Sequence, residues 1–226
     1  MRPDPALGIF ETVLVHRGRP VALAEHLARL ASSVEALYAA APPVDLADAA
    51  SDRARSLRRP ARLRIVYDGS YELEVAEAPE SLLAVEAQPS LALRPLAIPG
   101  GLGAHKWRDR SALPDEPVLI VDPDGSVLEA GHANVFAVEG ERLVTPPLDG
   151  RILPGVTRAR VIALAADRGI EVEQAAVSES RLASADDAFL TSAIRGVQRV
   201  AGARAGSRVV DELTGALRSS WLDEVT

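Results

Sequence analysis

The chain has 226 residues, 47% of them hydrophobic and 25% charged, with a net charge of −7 and no cysteine. These proportions are those of an ordinary globular protein able to bury a core, and they argue against disorder and collagen-like repeats. The lack of cysteine excludes disulfides, thiolate metal sites and thiol nucleophiles, and the acidic balance speaks against general nucleic-acid binding.

No apolar run reaches the length of a membrane span. The opening "MRPDPALGIFETVLV" lacks a signal-peptide layout, because prolines and an acid interrupt it. A cytoplasmic chain without membrane or nucleic-acid partners is therefore expected. "GIFETVLVHRGRPVALAEH" reads as two strands about a turn at His16-Arg17-Gly18-Arg19. "AEHLARLASSVEALY" predicts a helix with Leu27, Leu30, Val34 and Leu37 on one core-facing stripe, a periodicity that leaves Arg29 on the surface. "VDLADAASDRARSLRR" predicts a second helix ending before Pro60, and "ARLRIVYDGSYELEVAEA" a hairpin turning at Asp68-Gly69. The prolines and glycines of "LRPLAIPGGLG" predict a break in regular structure. The expected organisation is a smaller N-terminal α/β lobe over 1–97, a joint over 98–103, and a larger C-terminal α/β lobe over 104–226.

In the second lobe, "PVLIVDPDGSVLEAG" predicts two strands around Pro123-Asp124-Gly125, and "NVFAVEGERLVTPP" a hairpin turning near Gly140. "LPGVTRARVIALAADRG" predicts a helix with Pro154-Gly155 at its start and Gly169 as its C-cap. Strands around Glu171 to Val177 and Ala188 to Ser192 flank a short helix, and "DELTGALRSSWLDEV" closes the chain as an amphipathic helix. Strands mix with helices throughout, so the class is α/β, mixed, with much antiparallel sheet.

Lys106, in "GAHKWRDRSALP", follows the joint. Its plain reading is a solvated turn. Its chemical reading is an amine nucleophile, with His105, Arg108 and Arg110 supplying the positive charge that frees an amine and Trp107 supplying an apolar wall. Glu129, in "VLEAGHANVF", is either a hairpin glutamate facing water or a carboxylate held against a protonated cofactor ring nitrogen. "LPGVTR" sets Gly155, Val156 and Thr157 at a helix N-terminus, where unpaired N–H groups either take an ordinary cap or bind a phosphate. Thr191-Ser192 could turn the chain or add donors to the same anion. His16, His26, His105 and His132 show no metal spacing, and neither a nucleophile elbow, a P-loop nor a dinucleotide fingerprint is present. The economical idea is a phosphorylated, electron-withdrawing cofactor bound covalently through one lysine.

The order of these motifs resembles the fold-type IV pyridoxal-phosphate enzymes, which include branched-chain and D-amino-acid aminotransferases and 4-amino-4-deoxychorismate lyase. The resemblance runs from about residue 8 to residue 200. It implies a two-lobed architecture with pyridoxal 5'-phosphate between the lobes, and a homodimer. It implies Lys106 as the Schiff-base lysine and Glu129, with Asn134, at the pyridine nitrogen. Arg29, in "EHLARL", becomes a phosphate contact, as do Val156 and Thr157 in the Gly155-to-Arg158 element and Thr191 and Ser192 before "IRGV". Arg110, Arg195 and Ala193 become the substrate-side candidates. "KWRDR", "PPLDGRILPGVTR" and "TSAIRGV" resemble the lyase more than the aminotransferases, although Asp109 stands where asparagine is commoner. The reading implied is a small-molecule lyase, with an aminotransferase of the same fold and a non-catalytic binding module as the alternatives.

Overall fold

The computed structural model describes residues 3–78, 90–202 and 206–224. Met1, Arg2 and Val225 of the stretches read above lie outside them. The described chain forms two compact units, and the observed class is the expected mixed α/β.

The first unit contains residues 3–78, 105–112 and 219–224. After a 3-10 turn at Pro5–Leu7 come β1 (Ile9–His16) and β2 (Arg19–Pro20). Arg17 and Gly18 both have positive φ, 50° and 76°. That backbone matches the twist of a two-residue hairpin loop. The second expected strand is only two residues long, because Ala22 at φ 56° turns the chain into α1 (Leu23–Tyr38). Leu30 and Val34 are fully buried, with Leu27 and Leu37 beside them, against Ile9, Val13 and Val15 of β1. α2 (Leu46–Arg55) buries Leu46, Ala50 and Ala54, spaced four apart on one face. β3 (Ala61–Tyr67) and β4 (Tyr71–Glu77) complete an antiparallel sheet of order β2-β1-β3-β4, joined at the expected Asp68-Gly69 turn.

Residues 105–112 belong here and not with the C-terminal elements, which differs from the expected boundary at 104. The cause is pairing: Phe10 N–H donates to the Lys106 carbonyl at 2.9 Å, Arg108 N–H donates to the Gly8 carbonyl at 3.0 Å, and Trp107 bridges Ile9.

The second unit contains residues 90–104 and the described part of 113–218. β5 (Arg94–Ala97) runs parallel to β6 (Val118–Val121) and lies within the stretch expected to be irregular. Pro95 is tolerated because β5 is an edge strand. The expected joint is likewise tied down, since Ile98 N–H donates to Val121 and Gly103 N–H to Arg151. Gly101, at φ 68°, is required there: a Cβ would stand 2.2 Å from the Arg151 carbonyl oxygen.

β7 (Ser126–Ala130), β8 (Asn134–Glu139), β9 (Arg142–Thr145), α3 (Val156–Ala166), β10 (Val172–Gln174), β11 (Val177–Ser178), α4 (Glu179–Ser184), β12 (Asp187–Ser192), β13 (Gly196–Arg199) and α5 (Arg208–Glu224) follow. The strands make sheets of order β11-β7-β6-β5 and β10-β9-β8-β12-β13, packed through Val127, Val135, Ala137, Val144 and Leu190. The strand expected at 171–177 is two strands in different sheets. α3 ends at Asp167; Gly169, at φ 69°, follows two residues later and completes the turn, with Ile170 N–H donating to Ala165.

Candidate active site

In the first unit, strand alternation sorts the side chains around Lys106. Trp107 is 9% exposed and packs in the core with Ile9, and His105, on the same face, lies 3.0 Å from the Ser33 hydroxyl through Nδ1. Lys106 therefore points the opposite way, and its Nζ lies 4.9 Å from the centre of the Phe10 ring. Arg64 and Arg110 share that ring at 4.6 and 5.3 Å. Each distance is within the range of a cation–π contact. Arg108, expected to add charge beside the lysine, instead pairs with Asp68 at 3.2 Å and Glu74 at 3.8 Å. Asp109 has a local job: its carboxylate accepts from Ser111 N–H and Asp4 N–H, and the bonds from Ser111 hold its carboxyl below the usual range.

Lys106 is also the single lysine in the chain, against 24 arginines. Arginine meets every surface need for a cation but does not give up its proton in proteins. Lys106 is therefore the one side-chain amine the sequence offers.

Arg29 is not the surface residue that periodicity suggests. Its side chain is 11% exposed and forks onto Glu11, with Nε to Oε1 at 2.7 Å and Nη2 to Oε2 at 2.7 Å. His26 Nδ1 adds a third contact to Glu11 Oε2 at 2.8 Å. Burial by itself would raise the Glu11 carboxyl, but the Arg29 charge and the bonds from His26 and Arg29 outweigh it and hold the pKa at about 2.

In the second unit, Glu129 at the end of β7 is 5% exposed, which removes the reading of a hairpin glutamate facing water. Its Oε2 accepts from Leu153 N–H at 3.2 Å and Asn134 Nδ2 at 3.4 Å. Asn134 also donates to the Leu153 carbonyl at 2.9 Å. Thr191 of β12 stands directly opposite Asn134 of β8, so both project to one face. Gly155 caps α3 on the same spot, since a Cβ there would lie 2.0 Å from Asn134 Oδ1.

No side chain caps α3, and Val156 and Thr157 occupy its first two positions, both buried. Their N–H groups have no partner within the helix. The Thr191 hydroxyl is buried with no hydrogen-bond partner among the described residues. Arg158, one position further along α3, is 2% exposed and donates to the Pro146 carbonyl and Gln174, with no carboxylate partner among the described residues. Burial pulls its guanidinium below the ordinary value. Uncapped N–H groups, an unsatisfied hydroxyl and an uncompensated buried cation together suit a phosphate dianion. Ser192 turns the chain, its hydroxyl accepting from Arg195 N–H at 3.3 Å, and Arg195 is exposed beside the half-buried Ala193.

The structure places Glu129, Asn134 and the α3 start together in the second unit and sets Lys106 beside Phe10 and Arg64 in the first, where Arg29 meets Glu11; the sequence reading singled out none of Glu11, Phe10 and Arg64. Glu11 had a legible signal: it is the only charged position in the row Ile9, Glu11, Val13, Val15 facing the core. Phe10 and Arg64 had none, because their meeting depends on the β1–β3 register.

The profile of the amino-transferase class IV family matches residues 8–115 and 104–203. A mitochondrial branched-chain-amino-acid aminotransferase of Arabidopsis thaliana is 39% identical over 85 residues, 37% of this chain and only 22% of that protein's length. A hypothetical aminotransferase from Mycobacterium tuberculosis, in its PLP-bound form, superposes with a TM-score of 0.82 at 20% identity, over 97% of this chain and 90% of that one. A putative 4-amino-4-deoxychorismate lyase from Legionella pneumophila gives 0.74 at 20% identity, over 95% and 91%. Likeness at these identities shows the fold.

Proposed function

The chain belongs to the amino-transferase class IV family, and from that premise we propose that it is a pyridoxal-phosphate lyase converting 4-amino-4-deoxychorismate to 4-aminobenzoate and pyruvate, a step of folate synthesis. The observation that carries the lyase reading is the pair of guanidinium groups on the Phe10 ring beside Lys106: Arg110, and Arg64, which also pairs with Glu74 at 3.6 Å. Such surroundings favour a substrate bearing more than one carboxylate over an apolar amino-acid side chain.

The residues present fit the cofactor in two groups. In one unit, Lys106 offers the amine and Arg29 a guanidinium; in the other, Glu129 offers a buried carboxylate and the α3 start, Thr157 and Thr191 offer phosphate donors. When bound, pyridoxal phosphate supplies an electron-withdrawing ring that draws charge from the carbon carrying the substrate's amine. Lys106 Nζ would hold the cofactor at rest and, once the substrate's amine has displaced it, would be the free amine that accepts the proton from that substrate carbon. Glu129, fixed by Leu153 N–H and Asn134, would hold a proton on the ring nitrogen. In the second unit the N–H groups of Val156 and Thr157 and the hydroxyls of Thr157, Thr191 and Ser192 would donate to the phosphate, and in the first Arg29 would offer it a guanidinium. Arg110 and Arg195 bind substrate carboxylates, with Ala193 beside them. Cleavage of the substrate's C–O bond would release enolpyruvate, which takes up a proton to become pyruvate, and would leave an aromatic ring, which makes the step downhill.

The second reading is an aminotransferase, favoured by the names of relatives such as the Arabidopsis protein. It uses the same lysine and the same carboxylate. A homodimer belongs to either reading, and sedimentation velocity measures it.

The deciding experiment supplies the purified, cofactor-loaded protein with aminodeoxychorismate and no keto acid. Steady pyruvate release over many turnovers supports the lyase. Rapid exchange between a branched-chain amino acid and 2-oxoglutarate, with no pyruvate from aminodeoxychorismate, assigns the aminotransferase.

A further inference from the structure

Glu11 occupies a place where stability does not call for a charge. Its strand neighbours on the same face, Ile9, Val13 and Val15, are apolar and at most 1% exposed, and Glu11 itself is 1% exposed. Taking an ion pair out of water costs several kcal/mol per ion, and well-packed apolar residues in its place are often no less stable. What an apolar pair could not supply is geometry. The two carboxylate oxygens take two parallel bonds from the Nε–Nη2 edge of Arg29, both at 2.7 Å. That contact fixes the plane of the guanidinium as well as its place. His26, three residues before Arg29 on the same helix face, also holds Glu11 Oε2, at 2.8 Å.

Resting on the reading of Arg29 as a phosphate contact, we propose that Glu11, braced by His26, is a positioning residue that locks the Arg29 guanidinium in one orientation for a phosphate monoester. Two effects of Glu11 oppose each other. Its negative charge weakens the attraction of Arg29 for an anion, whereas its fork removes the rotational freedom of a long side chain. The positioning effect is the larger one, so loss of Glu11 weakens phosphate recognition even though a repulsive charge has gone.

The test measures binding of pyridoxal 5'-phosphate and of pyridoxal, which lacks the phosphate, to the full-length protein. The ratio of the two affinities isolates the phosphate. In Glu11→Gln that ratio falls about tenfold or more, by analogy with the loss when a partner that orients a metal-binding side chain is removed, while pyridoxal binding holds. Glu11→Asp keeps the charge but shortens the reach, and its ratio falls as well; it decides the matter if Glu11→Gln does not fold. A ratio that stays level or rises in either folded variant overturns the positioning role. A parent protein that binds pyridoxal and its phosphate equally overturns the phosphate reading of Arg29 itself, which is a separate failure.

Discussion

The amide of Phe10 donates to the carbonyl oxygen of Lys106 at 2.9 Å, and the Nζ of the same lysine stands 4.9 Å from the centre of the Phe10 ring. One residue of β1 thus holds both the backbone and the side chain of the chain's single lysine. The lysine's backbone is held by an isolated bridge to β1 with a hydrogen bond on either side of Trp107, which is more rigid than a solvated turn.

Lys106 is expected to carry the cofactor. Borohydride reduction of the protein incubated with pyridoxal phosphate, followed by peptide mapping, should find the pyridoxyl group on the peptide containing Lys106. Labelling of the N-terminal amine alone, or equal labelling of Lys106→Ala, would remove the covalent role.

Arg29→Ala should cost stability by about 3–5 kcal/mol, because it leaves the Glu11 carboxylate buried without its main partner. Urea unfolding measures this. The double variant Glu11→Leu with Arg29→Met should recover most of the loss while still binding pyridoxal phosphate poorly. A single variant as stable as the parent would mean that Glu11 finds another partner.

Acid should weaken the same pair. The Glu11 carboxyl sits at about 2 in the folded protein against an ordinary 4.5, so the unfolded chain takes up its proton first as pH falls. Its contribution is complete above about pH 5 and is lost as pH drops from there toward 2. Unfolding free energy in the parent should therefore fall more steeply over that range than in the Glu11→Leu, Arg29→Met variant. Parallel curves would contradict the depressed value.

Gly155→Ala should disturb the carboxylate site through space alone, since its backbone φ of −67° suits any residue. The added methyl would stand 2.0 Å from Asn134 Oδ1, so Asn134 must leave its bond to Leu153. A loss of about 1–3 kcal/mol is expected. Asn134→Ala removes the obstructing atoms, so the double variant should lose less than the sum of the singles. Strict additivity would show that the clash lies elsewhere.

Glu129→Gln should retain pyridoxal phosphate but slow turnover about a hundredfold or more, because a neutral amide does not hold a proton on the ring nitrogen. Stopped-flow measurement of substrate-proton exchange separates this from a binding defect. Near-parent exchange would move that role to another residue.

The sequence by itself determined the local elements and where candidate reactive groups stand along them. Apolar spacing marked α1, α3 and α5, Asp68-Gly69 and Gly140 marked hairpins, and a lysine after the joint, a glutamate five residues before Asn134 and a Gly-Val-Thr-Arg helix start marked the candidate groups. Each signal lies within a few residues, where side-chain period and turn chemistry act directly. Only the tertiary structure decided which distant segments meet. β5 exists within a proline- and glycine-rich run because β6 supplies its hydrogen-bond partners. Residues 105–112 join the N-terminal unit because β1 pairs with them. Arg29 is drawn from an exposed position in the helical period onto Glu11, and Thr191 comes to face Asn134, through pairings between elements far apart in the chain. Those contacts depend on register and packing across long sequence separations, which no local period encodes.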